Sequence, residues 1–162
     1  MKNIFIVAII FLFTACSAQP NKNTAIATAT TTKFAVVKTA AEWKKQLDPL
    51  AFDVTRQEGT EPPFSGKYAN NHDKGIYHCV CCGQALFNAE TKFESGTGWP
   101  SFYQPISKTA VLNESDNSFG SERTKITCSQ CGAHLGHVFN DGPKPTGLRY
   151  CMNSVSLSFA KK

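Results

Sequence analysis

The stretch Arg149-Tyr150-Cys151-Met152-Asn153-Ser154-Val155-Ser156-Leu157 decides how this chain is read. As a strand it sends alternate side chains to opposite faces, so Arg149, Cys151 and Asn153 share one face, continued by Val155, Leu157 and Phe159. A single thiol then sits between a cation and an amide at the rim of an apolar surface. A guanidinium at that distance favours the thiolate, the form of cysteine that attacks electrophiles. The plainer reading, a small cysteine buried in the core, fits many free thiols but not one with polar neighbours along its own face.

Upstream, the same short-strand pattern recurs. From Lys67 onward there is no helical periodicity, and brief apolar or alternating runs are bounded by Gly, Asn, Asp and Pro. Strands are expected at Gly75–Cys79, Ala85–Phe87, Ala110–Asn113, Arg123–Thr127, Ala133–Phe139 and Leu148–Phe159, with Tyr68–Lys74 and Glu114–Ser121 as polar loops. An antiparallel, mainly β domain follows. Before it, Thr39-Ala40-Ala41-Glu42 has capping-box spacing and predicts a short helix over Ala40–Leu47. Asp48-Pro49 starts a second one, with Asp48 as its cap and Gly59 as its stop.

The chain of 162 residues has room for one domain with appendages. Residues 1–15 read as an export signal: Lys2 gives a positive start, Ile4 to Phe13 is an apolar run too short to span a bilayer, and Thr14-Ala15 precede Cys16. Cys16 in that position resembles the lipid-bearing cysteine of bacterial lipoproteins, although Phe13 departs from the usual aliphatic residue there. Residues 16–33, rich in Thr, Ala and Asn, read as a tether, and the folded domain as 34–162. The expected product is an exported lipoprotein of the bacterial cell envelope. Its domain stands on the periplasmic or extracytoplasmic face and meets the membrane only through an N-terminal lipid anchor. The net charge of +5 contains no basic block of five residues, which argues against nucleic acid as a partner.

Seven cysteines include two pairs, Cys79-Val80-Cys81-Cys82-Gly83 and Cys128-Ser129-Gln130-Cys131-Gly132. Each pair spaces two sulfurs by two residues and ends on glycine, the spacing of a zinc knuckle. Cys79, Cys82, Cys128 and Cys131 together make a tetrahedral thiolate set with no open position, hence a structural zinc rather than a catalytic one. Forty-five residues lie between the pairs, so the metal would pin two distant hairpins. Cys81 is left as a spare thiol on the first knuckle, available in principle for redox recycling.

Three blocks together closely resemble the type B methionine sulfoxide reductases. They are Gly96-Thr97-Gly98-Trp99-Pro100-Ser101-Phe102, the run from His134 to Pro143 (HLGHVFNDGP), and Arg149-Tyr150-Cys151-Met152-Asn153-Ser154. The likeness covers about Trp43 to Phe159 and includes both cysteine pairs. It implies a two-sheet, barrel-like antiparallel fold with small peripheral helices, clamped by zinc. It also implies reduction of the R epimer of methionine sulfoxide in oxidised proteins. By that resemblance Cys151 is the nucleophile and becomes a sulfenic acid. His137 and Asn153 form the polar side of the pocket, Trp99 and Phe139 its aromatic wall, and Asp141 orients Arg149. On a straight strand His134 and His137 face opposite ways, so both reach one pocket only if the chain bulges, most cheaply at Gly136. Otherwise His134 is structural. Many family members carry a resolving cysteine where this chain has Thr97, so recycling is expected from a thioredoxin-like reductant acting directly. Two rival readings stand beside this one: a zinc-clamped module that binds peptides without chemistry, and a thiol-disulfide oxidoreductase that cycles its paired cysteines.

Overall fold

The computed structural model describes residues 34–118 and 122–162. The expected leader (1–15), the lipidated Cys16 and the tether (16–33) lie outside the described residues. Among those described, nine strands form two antiparallel sheets. The smaller contains β1 (Gly75–Cys79), β2 (Ala85–Asn88) and β9 (Leu157–Lys161), ordered β2-β1-β9. The larger contains β3 (Lys92–Phe93), β4 (Ser101–Phe102), β5 (Val111–Asp116), β6 (Arg123–Cys128), β7 (His134–Phe139) and β8 (Arg149–Met152), ordered β3-β4-β8-β7-β6-β5. Their inner faces meet in an aromatic core. Phe102 stacks on Phe87 with ring centroids 4.4 Å apart, and Tyr77 meets the edge of Phe102 at 5.0 Å. Leu86, Ile126, Leu135, Met152 and Leu157 fill the remaining space. No helix among the described residues is long and apolar enough to cross a membrane.

The expected continuous strand from Leu148 to Phe159 is broken. β8 stops at Met152, a 3-10 turn occupies Ser154–Ser156, and β9 begins at Leu157 in the other sheet. This is a corner at which the chain leaves one sheet for the other. Alternation therefore holds only as far as Met152, and Asn153, buried at the corner, reaches the Cys151 cavity from beyond the end of the strand. The polar residues that look misplaced in a strand are what a buried corner requires, because its backbone groups have no ladder partners. Asn153 Nδ2 and Ser156 Oγ both donate to the Leu135 carbonyl, at 3.2 and 3.3 Å. The carboxylate of Glu61, 1% exposed, accepts from the amides of Ser154 (2.6 Å) and Val155 (3.0 Å).

Helix α1 (Ala40–Gln46) starts with the expected capping box: the Thr39 amide donates to the Glu42 carboxylate at 2.7 Å and the Glu42 amide to Thr39 Oγ1 at 3.3 Å. Leu47 is its extended C-cap. In α2 (Pro49–Gln57), Asp48 makes no side-chain capping bond, so Pro49 in the first turn is the start signal that operates. The left-handed residue that ends α2 is Glu58, at φ 61°, rather than Gly59. Its carboxylate is held there by an ion pair with Lys125 of β6. The expected loop Glu114–Ser121 is in part strand, since β5 runs on to Asp116 and pairs with β6 down to Asp116↔Arg123. Two-residue β3 and β4 are too short to register as a pattern in the sequence.

Candidate functional site

Sheet register builds one chemical face. Cys151 lies directly opposite His137 on β7 and Ser101 on β4, while Arg149 lies opposite Phe139. Directly opposed residues share a face, and on the far side of β7 that face continues through Lys125 of β6 to Glu114 of β5. Arg149 closes on Asp141 with two charge-assisted bonds, Nε to Oδ1 at 2.9 Å and Nη2 to Oδ2 at 2.8 Å. Its guanidinium also covers the Phe139 ring at 4.4 Å. The carboxylate–guanidinium pair implied by the family resemblance is present.

Its effect on Cys151 differs from the expectation. Burial pushes the Cys151 thiol above its ordinary value; Thr97, Arg149 and Ser101 pull it down without reversing that. Arg149 is engaged with Asp141, which shares its charge, and the half-buried sulfur loses hydration. At neutral pH Cys151 is therefore a thiol. Thr97 Oγ1 is 3.9 Å from its sulfur, and a chain of hydroxyls stands behind Thr97: Ser95 Oγ at 2.8 Å from Thr97 Oγ1, and Ser101 Oγ at 2.8 Å from Ser95 Oγ.

The bulge exists. Pairing of β6 with β7 slips between Ile126↔Gly136 and Thr127↔His134, so Leu135 is the extra residue and His134 returns to the face of His137. The two imidazoles meet edge to face with centroids 5.4 Å apart. Gly136 is required by close approach, because a Cβ there would lie 2.1 Å from the Cys151 carbonyl oxygen. His134 is 2% exposed, and neither ring nitrogen has a partner among the described residues. Burial first, then the neighbouring His137, lowers its pKa to about 4, so it is neutral. Burial also lowers His137, while a 2.8 Å bond from Nε2 to Asp116 Oδ2 opposes the shift.

Asp116 is a site residue that the sequence reading missed. Ser118, His137 and Arg123 hold its carboxyl well below the usual range, so it is ionised and can only accept. His137 therefore carries its proton on Nε2 and keeps a lone pair on Nδ1. A signal did exist: Glu114-x-Asp116 followed by Arg123-x-Lys125 is charge-complementary at hairpin spacing.

Trp99, His137, Phe139, Cys151, Met152 and Asn153 line a cavity of about 210 Å³. Trp99 is fixed by its indole N–H, which donates to the Glu61 carbonyl at 3.1 Å. Asn153 reaches this cavity, but its Oδ1 accepts from the Glu61 amide at 3.0 Å and its Nδ2 is bonded to Leu135, so much of its polarity serves the corner. Glu61 thus ties corner, indole and carboxamide together. Clefts of about 590 and 470 Å³ lie elsewhere and neither is lined by a cysteine or a histidine, while a cleft of about 240 Å³ that His137 also lines takes in His134 and Asp116 and no cysteine. The 210 Å³ cavity is below the roughly 300–1,000 Å³ of a drug-sized ligand's pocket and suits one amino-acid side chain.

Away from this pocket, the sulfurs of Cys79, Cys82, Cys128 and Cys131 all lie within 4.8 Å of one another, with Cys79–Cys131 at 3.7 Å and Cys82–Cys128 at 3.6 Å. Four sulfurs around an ion with bonds of about 2.3 Å have tetrahedron edges of about 3.8 Å. Two of the edges already match that figure and the rest lie within 4.8 Å, so the set could hold a metal ion with at most a small inward movement of the sulfurs. The amides of Gly83 and Gly132 donate to the carbonyls of Cys79 and Cys128, closing the two knuckles at 2.8 and 2.9 Å. Cys81 is 4% exposed among core residues, and its carbonyl receives Gln46 Nε2 at 2.7 Å. It does not line the Cys151 cavity.

Fold and site define a thiol-bearing β domain whose two hairpins converge on four cysteines. The SelR domain model matches residues 47–161, and the chain belongs to that family. It is 56% identical over 129 residues to the peptide methionine sulfoxide reductase MsrB of Leptospira interrogans, covering 80% of this chain and 98% of that protein. It is 58% identical over 122 residues to the protein of the same name from Pseudomonas putida strain F1, covering 75% and 93%. The Methanosarcina mazei protein of that name is 57% identical over 127 residues, covering 78% and 91%.

Proposed function

We propose that this protein reduces methionine R-sulfoxide in oxidised proteins to methionine, with Cys151 as the nucleophile. The observation that carries this reading is the thiol of Cys151 set directly across the strand pair from His137, inside a cavity walled by Trp99 and Phe139. The relatives' shared name points the same way. A sulfoxide pairs a polar S–O bond with an apolar methyl group, and such a group needs an aromatic wall together with a proton source.

The step balances without an outside proton. Cys151 sulfur bonds to the sulfoxide sulfur and the S–O bond breaks, the protonated oxygen departing as hydroxide; that hydroxide then bonds to Cys151 sulfur as the sulfur–sulfur bond breaks, leaving a sulfenic acid and methionine. Because burial keeps Cys151 as a thiol, its own proton travels to the oxygen. His137 Nδ1 accepts that proton and passes it on, with Asp116 fixing the tautomer. A dithiol reductant then attacks the sulfenic sulfur, releasing water, and its second thiol resolves the mixed disulfide to restore Cys151. Cys81 is too buried to serve that turn, which favours a thioredoxin-like protein acting directly. Cys79, Cys82, Cys128 and Cys131 would hold a zinc ion, which supplies folding energy rather than chemistry. Export through residues 1–15 and lipid attachment at Cys16 complete the reading.

Steady-state assay of the purified chain against peptides carrying each sulfoxide epimer tests it, first with dithiothreitol and then with thioredoxin. Turnover confined to the R epimer and abolished in Cys151→Ser is expected. A peptide sulfoxide that binds without turning over would instead support the non-catalytic binding module.

A further inference from the structure

Among the exposed large hydrophobic residues of the described chain, Phe64 is the aromatic one, 73% exposed. Its backbone has a φ of 62°, in the region where a bulky side chain is strained. Such strain persists only where the surroundings impose it, and it concentrates at functional surfaces. Here the surroundings are the pocket wall itself. The Phe64 amide donates to the Gly98 carbonyl at 2.9 Å, and the Trp99 indole donates to the Glu61 carbonyl at 3.1 Å. These two bonds zip the 61–64 segment to the 98–99 segment. The ring lies against Gly98, where a Cβ would meet Phe64 Cδ2 at 2.9 Å, one residue from Trp99. A glycine at position 64 would adopt the same backbone without strain, so stability alone does not account for a phenyl ring held in solvent. Trp99, which walls the Cys151 cavity, also lines a small groove shared with Phe64, Ala69 and Gly96.

We propose that Phe64 is an outer subsite of the Cys151 pocket, an aromatic shelf for the apolar side chain of a residue adjacent to methionine sulfoxide in a polypeptide. This rests on the sulfoxide-reductase reading above. Adjacent residues have Cα atoms 3.8 Å apart, so a chain that delivers one side chain past Trp99 to Cys151 carries its neighbour to the rim where the phenyl ring lies. The substrate class is thereby narrowed to sulfoxides within a chain that have an apolar neighbour.

The test compares wild type, Phe64→Ala and Phe64→Tyr on three substrates: an R-sulfoxide peptide with leucine beside the sulfoxide, the same peptide with serine there, and free methionine R-sulfoxide. In Phe64→Ala, KM for the leucine peptide should rise about tenfold, the scale of partly burying one ring. KM for the free amino acid and kcat for all three should stay put, and Phe64→Tyr should retain the wild-type KM. Thermal melts of each variant identify loss of fold, and Phe64→Gly, free of the backbone strain, replaces Phe64→Ala should that variant unfold. An equal loss on all three substrates in a folded variant, or no change on the leucine peptide, overturns the subsite. Failure of wild type on every sulfoxide overturns the reading beneath it as well.

Discussion

At the scale of the residue, the site uses burial more than charge. Burial outweighs the pull of Thr97 and of Arg149, whose guanidinium is bound to Asp141 and covers Phe139, so Cys151 remains a thiol; in the proposed reaction it would bring its own proton. The two histidines are likewise kept neutral by burial. For His134 this has a consequence for stability. Its folded pKa of about 4 lies below the ordinary 6.5, so between those values the unfolded chain binds a proton that the folded chain does not. Stability is fully present above about pH 6.5 and is lost as pH falls toward 4, by roughly 3 kcal/mol. Urea unfolding of wild type and His134→Leu across that window should show wild type losing stability relative to the variant as pH falls, because only the wild type carries this titration; parallel curves would count against it. The nucleophile candidate was legible from neighbouring letters, whereas the pairing of Arg149 with Asp141, eight positions apart, came from the family resemblance. Asp116 was not, since its partner His137 lies twenty-one positions away and becomes adjacent only through the β5–β6–β7 register.

At the scale of the element, two irregularities make the face. The bulge at Leu135 turns His134 back toward His137, and the corner at 153–156 carries the chain into the second sheet. Gly136→Ala should cost about 2 kcal/mol, since the added methyl cannot occupy the space of the Cys151 carbonyl. It should also lower kcat, by displacing Cys151 from His137. Calorimetry with single-turnover kinetics checks both, and a variant that matches wild type in each would show the close approach to be unimportant. The bulge could be anticipated, because two histidines three apart cannot share a straight strand's face. The corner could not. A period-2 alternation through Arg149, Cys151 and Asn153 is indistinguishable, letter by letter, from a strand that ends at Met152. What ends it is Glu61, more than ninety positions upstream, whose carboxylate caps the Ser154 and Val155 amides that a ladder would otherwise satisfy.

At the scale of the whole molecule, the two cysteine pairs hold β1 of one sheet and β6 of the other within a single cluster. Their spacing made this the most legible long-range contact in the chain, because two-residue spacing followed by glycine specifies a turn and a ligand pair at once. Purified protein should carry about one zinc per chain. Stripping it with a mercurial and a chelator should cost the cooperative unfolding transition, followed by circular dichroism; an unchanged melt after verified metal loss would remove the clamp from the account. The proposed chemistry, by contrast, is placed on the Cys151 thiol, which would accept one oxygen atom. Wild-type protein mixed with excess R-sulfoxide peptide, with no reductant present, should release one equivalent of methionine peptide per chain, and mass spectrometry should find one added oxygen, trappable by dimedone, on Cys151. Release of no methionine, or an oxygen recovered on any other residue, would contradict the assignment of Cys151 as the acceptor.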